Sequence, residues 1–290
     1  MPDRSPVLLV CQISDLHIGL DGDAPDESAT VRARAVIDRI AALDPAPDVV
    51  VLSGDLTDRG DALSYRRLRD LLAPLAMPVL PMTGNHDRRA AMLDVFHGTP
   101  TAGGFVQYDW RLGGRRIILL DTLDEGRGGG GFCAERAAWF DAALGAEPDL
   151  PTLVALHHPP FGVGIDWMDP RDDAPWIERL RRVVSRHPQI VALIAGHLHR
   201  PIAASWMGRP CMVASSVAPQ LAPDLRATPL AAPDGRALVV LEPPAFVLHR
   251  WSADALASHF MQAATAPALV RLDASMAAVL AECIAENHSD

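Results

Sequence analysis

Five short segments hold six of the chain's eleven histidines: Asp15-Leu16-His17, Gly54-Asp55-Leu56-Thr57-Asp58, Gly84-Asn85-His86-Asp87, His157-His158-Pro159-Pro160 and Gly196-His197-Leu198-His199. Carboxylate oxygens, imidazole nitrogens and one amide carbonyl recur in them with no thiolate. That donor mixture suits Fe, Mn, Zn or Co better than Ca or Mg alone. Asp15 and His17 stand two apart, as do His197 and His199, and at the end of an extended strand this spacing turns both side chains to one side. Asp55 brings a carboxylate able to bridge two cations, and Gly54 before it lets backbone approach the metals. Asn85 adds a neutral oxygen, and His157 adds an imidazole on a loop stiffened by Pro159 and Pro160. Singly, each segment is an ordinary accident; in series they predict a two-metal hydrolytic site.

The elements that must position these groups are legible as apolar runs, one before each segment: residues 6–13, 49–52, 79–82, 153–156 and 190–194. Metal ligands are therefore expected at strand ends. Helix-like stretches alternate with these runs, over residues 27–43, 61–75, 134–144 and 176–186, and predict a layered α/β core that places ligands at the carboxyl ends of strands. Residues 105–112 and 115–120, split by Gly113-Gly114, read as a hairpin, so the sheets are mixed. After His199, strands are expected at 202–206, 210–214, 237–241 and 246–251, closed by a helix at 274–284. The run Gly126-Arg127-Gly128-Gly129-Gly130-Gly131 lacks the Lys-Ser/Thr of a phosphate-cradling loop and reads as a flexible loop or a lid.

Composition excludes several classes. A chain of 290 residues with 49% hydrophobic residues can bury a sizeable core. No apolar run approaches the roughly 20 residues that cross a bilayer, so no membrane span is expected. Residues 1–6 are polar and lack the succession of a signal peptide, which makes cytoplasmic residence the expectation. Cys11, Cys133, Cys211 and Cys283 form no CxxC pair and read as buried or half-buried reduced thiols. A net charge of -10 without a basic stripe argues against long nucleic acids as partners. His97, His187, His249, His259 and His288 have no motif context and are expected at the surface or in structural roles.

The set DxH, GDxxD, GNHD, Hx(P) and GHxH resembles the calcineurin-like metallophosphoesterase superfamily over roughly residues 7–200. The resemblance implies a four-layer αββα sandwich of two mixed sheets with a dinuclear centre at one edge. Residues 1–200 would form the catalytic core, and 201–290 a β-rich part completing the second sheet, capping the site or mediating dimerisation. Carried onto this chain, one metal takes Asp15, His17, Asp55 and His199, and the other takes Asp55, Asn85, His157 and His197. His157 is preferred over His158 because the family's ligand stands two places before the loop proline; His158 then faces substrate. Fe and Mn are the expected pair, with Zn or Co as further choices. Two divalent ions, two carboxylates and a bridging hydroxide leave a centre of about +1, which attracts a phosphodiester anion despite the acidic chain. The metals acidify water to give the nucleophile, while His86 steadies developing charge or protonates the leaving oxygen. Asp87 is placed with His86 in the catalytic group, and Asp58 and Asp87 are expected to orient ligand rings or loops.

Residues 157–170, HHPPFGVGIDWMDP, and 214–225, ASSVAPQLAPDL, resemble the bacterial cyclic-nucleotide and glycerophosphodiester phosphodiesterase branch. Small phosphodiesters are thus the expected substrates, with His158, Phe161, Trp167, Asp169 and Arg200 as pocket residues and Arg88 as a further phosphate contact. A phosphomonoesterase should show more basic residues near the motifs, a nuclease a basic groove, and an inert scaffold missing ligands. A homodimer or higher homo-oligomer is expected.

Overall fold

The computed structural model describes residues 7–264 and 266–287, so the amino-terminal reading of residues 1–6 and His288 fall outside it. In chain order the elements are β1 (Leu8–Ile13), α1 (Ser28–Ala41), β2 (Val49–Leu52), α2 (Ala62–Leu72), β3 (Val79–Pro81), α3 (Arg89–Leu93), β4 (Tyr108–Leu112), β5 (Arg115–Leu120), α4 (Ala134–Gly145) and β6 (Thr152–Leu156). There follow α5 (Pro175–Arg186), β7 (Ile190–Ala195), β8 (Ile202–Trp206), β9 (Arg209–Val213), β10 (Gln220–Leu221), β11 (Val239–Val240), β12 (Ala245–Trp251), β13 (Leu256–Gln262) and α6 (Ala274–Asn287).

Two mixed sheets carry the fold, one in the order β13-β12-β1-β2-β3 and the other β4-β5-β6-β7-β9-β8. The apolar strands need cover on both faces, and alternation along them shows how they get it. On β5 and β6, Ile117, Leu119, Leu153 and Ala155 join the core shared with the first sheet, α1, α2 and α3. Their neighbours Ile118, Leu120, Val154 and Leu156 point the other way, into a core with Phe140 and Leu144 of α4 and Leu180 and Val184 of α5. The layers are therefore helices, sheet, sheet, helices: the four-layer αββα sandwich. The helix starts are locally encoded: Asp61 caps α2 by accepting from the amides of Leu63 and Ser64, and Pro175 opens α5 where its missing N–H costs nothing.

One buried amide ties the two sheets together. Gln12 of β1 donates to the Ala195 carbonyl of β7 at 2.8 Å and to Ser53 Oγ at 2.8 Å, and its oxygen accepts from His249 Nε2 at 3.2 Å.

The C-terminal part divides between the sheets. β8 and β9 join the second sheet, whereas β12 pairs antiparallel with β1 and extends the first. The expected strand at 237–241 shrinks to Val239–Val240, because Leu238, Val239 and Leu241 find no cover and stand 48%, 54% and 75% exposed. β13 was not expected: it is a half-exposed edge strand defined by its pairing with β12. Cys11 and Cys211 are buried and Cys133 half-buried, but Cys283 is exposed on α6. His97 and His259 are exposed, while His187 is held by Asp141 at 2.8 Å. Among the described residues no helix is long and apolar enough to cross a membrane.

Candidate metal centre

The five motif segments converge where β1, β2, β3, β6 and β7 end. The expected reason for the paired spacing does not hold, however. β1 stops at Ile13 and β7 at Ala195, so neither DxH nor GHxH lies in extended backbone. Asp15, His17, Asp55, His197 and His199 all adopt left-handed backbone, with φ of 53°, 49°, 48°, 70° and 51°. Such residues cost of order 1 kcal/mol each and persist only where surrounding structure fixes them. Here the fixing is visible: Asp15 N donates to Gly54 O, His17 N to Asp55 O, Gly196 N to His157 O and Ala218 N to Asp15 O, at 2.9–3.1 Å. The alternation of side chains survives because left-handed residues alternate with ordinary ones.

Gly54, Gly84 and Gly196 answer to packing. A Cβ at Gly54 would strike the His157 ring, at Gly84 the Asp55 carboxylate, and at Gly196 Ser14 and Asp15. The role expected for Gly54 thus shifts from admitting metals to admitting His157.

Three imidazoles are oriented by groups behind them. His199 Nδ1 donates to the Pro219 carbonyl at 2.7 Å and His157 Nδ1 to the Ser53 carbonyl at 2.8 Å; a carbonyl only accepts, so these protons sit on Nδ1. His17 Nδ1 lies 3.0 Å from Asp58 Oδ1. Each Nε2 is left to face inward. His17 Nε2 and His199 Nε2 stand 3.2 Å apart, and with both Nδ1 atoms protonated they present two lone pairs to one another. His157 Nε2 likewise faces Asn85 Oδ1 at 3.1 Å and Asp55 Oδ2 at 3.3 Å. Lone pairs so opposed fit a cation between them, and the nitrogen and oxygen donors suit a transition metal.

Among the described residues three groups of donors each have their atoms within 4.8 Å of one another: His17, Asp58 and His86; Asp15, His17, Asp55 and His199; and His157, His158 and His197. Asp55 joins them: its Oδ2 lies 3.5 Å from His17 Nε2 and 3.3 Å from His157 Nε2, while Oδ1 accepts from His86 N at 2.8 Å.

Charge in the centre follows the same division. Burial opposes the charge on Asp55, but His157, His17 and His86 hold it well below the usual carboxylate range. Burial disfavours a proton on His157, yet Asp55 and Asp15 raise it to about 9, the pull of two carboxylates toward positive charge at this place. Burial and the His157 charge push His197 down to about 3, and burial lowers His199. Burial, with His197 and His157 nearby, also holds His158 well below its ordinary value.

The remaining expected residues separate by position. His86 is 40% exposed in its side chain, lines the cavity and donates Nδ1 to the Asp58 carbonyl at 2.9 Å, leaving Nε2 free to work. Asp87 is committed elsewhere. Its carboxylate accepts from the amides of Leu56, Thr57 and Gly84 and from Tyr65 Oη at 2.8–3.3 Å, clamping the GDxxD loop to the GNHD loop. Burial and the Asp55 charge push it up to about 6. That is the geometry of a positioning residue, not of a group at the reacting atoms.

A cavity of about 570 Å³ opens over the centre, its lining combining the polar His17, Asp55, Asn85, His86, His197 and His199 with the apolar Phe161, Trp167, Met168, Trp176 and Leu221. His158 and Asp169 also line it, although both Asp169 oxygens accept amides, from Val163 and Gly164 at 2.8 Å, and so shape the loop. Arg200 is not brought in: its guanidinium pairs with Glu242 at 2.7 Å. Arg88 borders a neighbouring depression with Asp58 and Glu125. Gly128, Gly129 and Gly130 of the glycine-rich run reach the cavity wall, where a Cβ at Gly130 would crowd His158 and Trp176. Sequence reasoning passed over Thr122, whose hydroxyl holds His158; its signal was its place just past the hairpin strand, beside Asp121.

A family model for calcineurin-like phosphoesterases matches residues 8–201. The chain is 31% identical over 258 residues to a probable glycerophosphodiester phosphodiesterase of Arcobacter nitrofigilis, covering 84% of this chain and 89% of that one. It is 38% identical over 202 residues to a probable cyclic nucleotide phosphodiesterase of Rhodopseudomonas palustris, covering 67% and 72%. Among solved structures, a purple acid phosphatase from yellow lupin seeds aligns with a TM-score of 0.62 at 14% identity, over 91% of this chain and 52% of that one; this likeness concerns the fold.

Proposed function

We propose, from the premise that this chain belongs to the calcineurin-like phosphoesterase family, that it is a metal-dependent phosphodiesterase acting on small diesters, 3',5'-cyclic nucleotides or glycerophosphodiesters. The observation that carries this reading is the Asp55 carboxylate, 3.5 Å from His17 Nε2 and 3.3 Å from His157 Nε2, standing between two donor clusters beneath a cavity whose lining, among the described residues, holds no Lys or Arg. A diester monoanion needs less positive charge than a monoester dianion, so two cations suffice for it without arginine help. The names of the two relatives point to the same substrate class.

In this reading one ion is held by Asp15, His17, Asp55 and His199 and the other by Asp55, Asn85, His157 and His197. Fe and Mn are the proposed pair, with Zn or Co able to replace them. When bound, the ions acidify water and hold phosphoryl oxygens in line for displacement. The chain does the rest. Asp58, Pro219 and Ser53 fix the rings so that Nε2 atoms face the ions. His86 acts in its imidazolium form, giving the Nε2 proton to the leaving oxygen while Nδ1–H stays on the Asp58 carbonyl, and Phe161 and Trp167 flank the organic part of the diester.

Residues 1–200 act as the catalytic core in this proposal. Residues 201–290 supply strands to both sheets and a dimer contact at the β13 edge, in a cytoplasmic enzyme. Metal-reconstituted protein should cleave bis(p-nitrophenyl) phosphate faster than p-nitrophenyl phosphate, and a panel with cyclic AMP and glycerophosphocholine then ranks the natural classes. A preference for the monoester would overturn the diesterase reading.

A further inference from the structure

Adjacent residues His157 and His158 sit side by side with ring centroids 4.8 Å apart, and both rings neighbour His197, at 5.2 and 4.6 Å. By position alone either could be the ligand. Their partners set them apart. Behind His157 stands a carbonyl, which draws the proton to Nδ1 and leaves Nε2 bare. Behind His158 stands the Thr122 hydroxyl, 2.9 Å from Nδ1. The same Thr122 oxygen accepts the His158 backbone N–H at 3.3 Å. Thr122 is fully buried, and among the described residues its O–H has no other acceptor, so its proton must go to His158 Nδ1. The ring proton of His158 is thereby forced onto Nε2. Among the described residues that atom is buried and without a hydrogen-bond partner, and the residue lines the cavity beside Gly128.

We propose that Thr122 locks His158 in the Nε2–H tautomer, which removes His158 from the metal sphere and makes it a fixed neutral donor to a phosphoryl oxygen of the bound diester. A bare Nε2 at this place would compete for the ion held by His157 and His197, with which it shares a 4.8 Å cluster. A protonated one cannot ligate; it can only donate. The adjacent pair thus splits into one ligand and one donor by the choice of a carbonyl behind the first and a hydroxyl behind the second. Thr122 is the positioning residue, and His158 touches substrate. This inference rests on the phosphodiesterase reading for the identity of its acceptor, but the tautomer does not.

The test uses the full chain reconstituted with zinc and labelled with 15N-histidine. Long-range proton–nitrogen spectra should show His158, assigned by its loss in His158→Gln, with hydrogen on Nε2 and none on Nδ1. Thr122→Val should abolish that preference and Thr122→Ser restore it. Two metal equivalents should remain in both His158→Gln and His158→Leu. Turnover of bis(p-nitrophenyl) phosphate should fall about 100-fold in His158→Leu, stay within about tenfold in His158→Gln, whose amide keeps an N–H, and fall about tenfold in Thr122→Val. Orthophosphate binding, measured by calorimetry, should weaken in His158→Leu but not in His158→Gln. A proton on Nδ1, or loss of a metal equivalent from the His158 variants, would overturn the lock, and unchanged turnover or phosphate binding in His158→Leu would overturn the donor role. Failure of the wild type to cleave any diester would strike the phosphodiesterase reading alone, since the spectra, metal counts and phosphate binding still decide this one.

Discussion

The two walls of the cavity are built by opposite means. The metal wall consists of short polar motifs at strand ends, held by backbone hydrogen bonds between neighbouring loops and by a partner behind His17, His157 and His199. The apolar wall draws mainly on a loop, residues 161–170, with Trp176 and Leu221 beside it; Trp167 is 44% exposed, and the loop's shape depends on Asp169 bonding two amides and on Asp166 bonding Thr228. Rigid placement belongs where charge must be met at fixed distances; a loop suffices where an organic group is to be covered. Chemistry should therefore fail when the first wall is touched, and selectivity should drift when the second is.

The largest effect is expected from Asp55→Ala, which removes the oxygen shared by both donor sets. Both ions should be lost and diester turnover should fall on the order of 10³-fold or more, as plasma emission metal counts and bis(p-nitrophenyl) phosphate assays would show. Retention of one tightly held ion would mean the sets are independent. Next comes Asp58→Ala, which frees the His17 ring without touching a donor atom; metal affinity should drop about 10–100-fold by titration against a chelator. Trp167→Ala should leave metal content intact and raise KM for cyclic AMP about tenfold, the scale of one lost base–aromatic stack, with little change for glycerophosphocholine. A fall in metal content there would break the division between walls.

The smallest effect on turnover is expected from His249→Gln, on neither wall. Burial holds His249 at about 3 in the folded chain, against about 6.5 unfolded, so it stays neutral in the native state. The unfolded chain then takes up the proton first as pH falls. The stability linked to this group is full above about 6.5 and declines toward about pH 3, by at most about 1.4 kcal/mol per pH unit. Urea melts from pH 7 to 4.5 should show a flatter acid decline in the variant, with activity at neutral pH unchanged. Parallel declines would assign acid sensitivity to other groups.

This same contrast explains what could be read from the chain. The motifs and the strands before them were legible because they combine rare donor residues with continuous apolar runs, and residues 202–206 were placed as a strand to the residue. Left-handed backbone at Asp15 and His199 was not legible, since no glycine marks it; it is imposed by the loop packed alongside. β13 and the short α3 stayed hidden because their support is a neighbouring strand or loop, not their own periodicity. Arg200 looked available beside His199 because Glu242, which neutralises it, lies 42 residues away in sequence. Asp87 looked catalytic beside His86, and only the fold reveals the four donors that occupy it.

The buried Gln12 amide acts as a gauge block between the two sheets. The DxH and GHxH loops spring from the very strands it joins, so the gap between them is set by an amide that no ion contacts. Cations of different radius must then be accommodated by rotation of imidazoles and carboxylates on a frame of constant width. With the proposed ions bound, the exchange of one transition metal for another should register in rate constants while leaving the spacing of the strands alone.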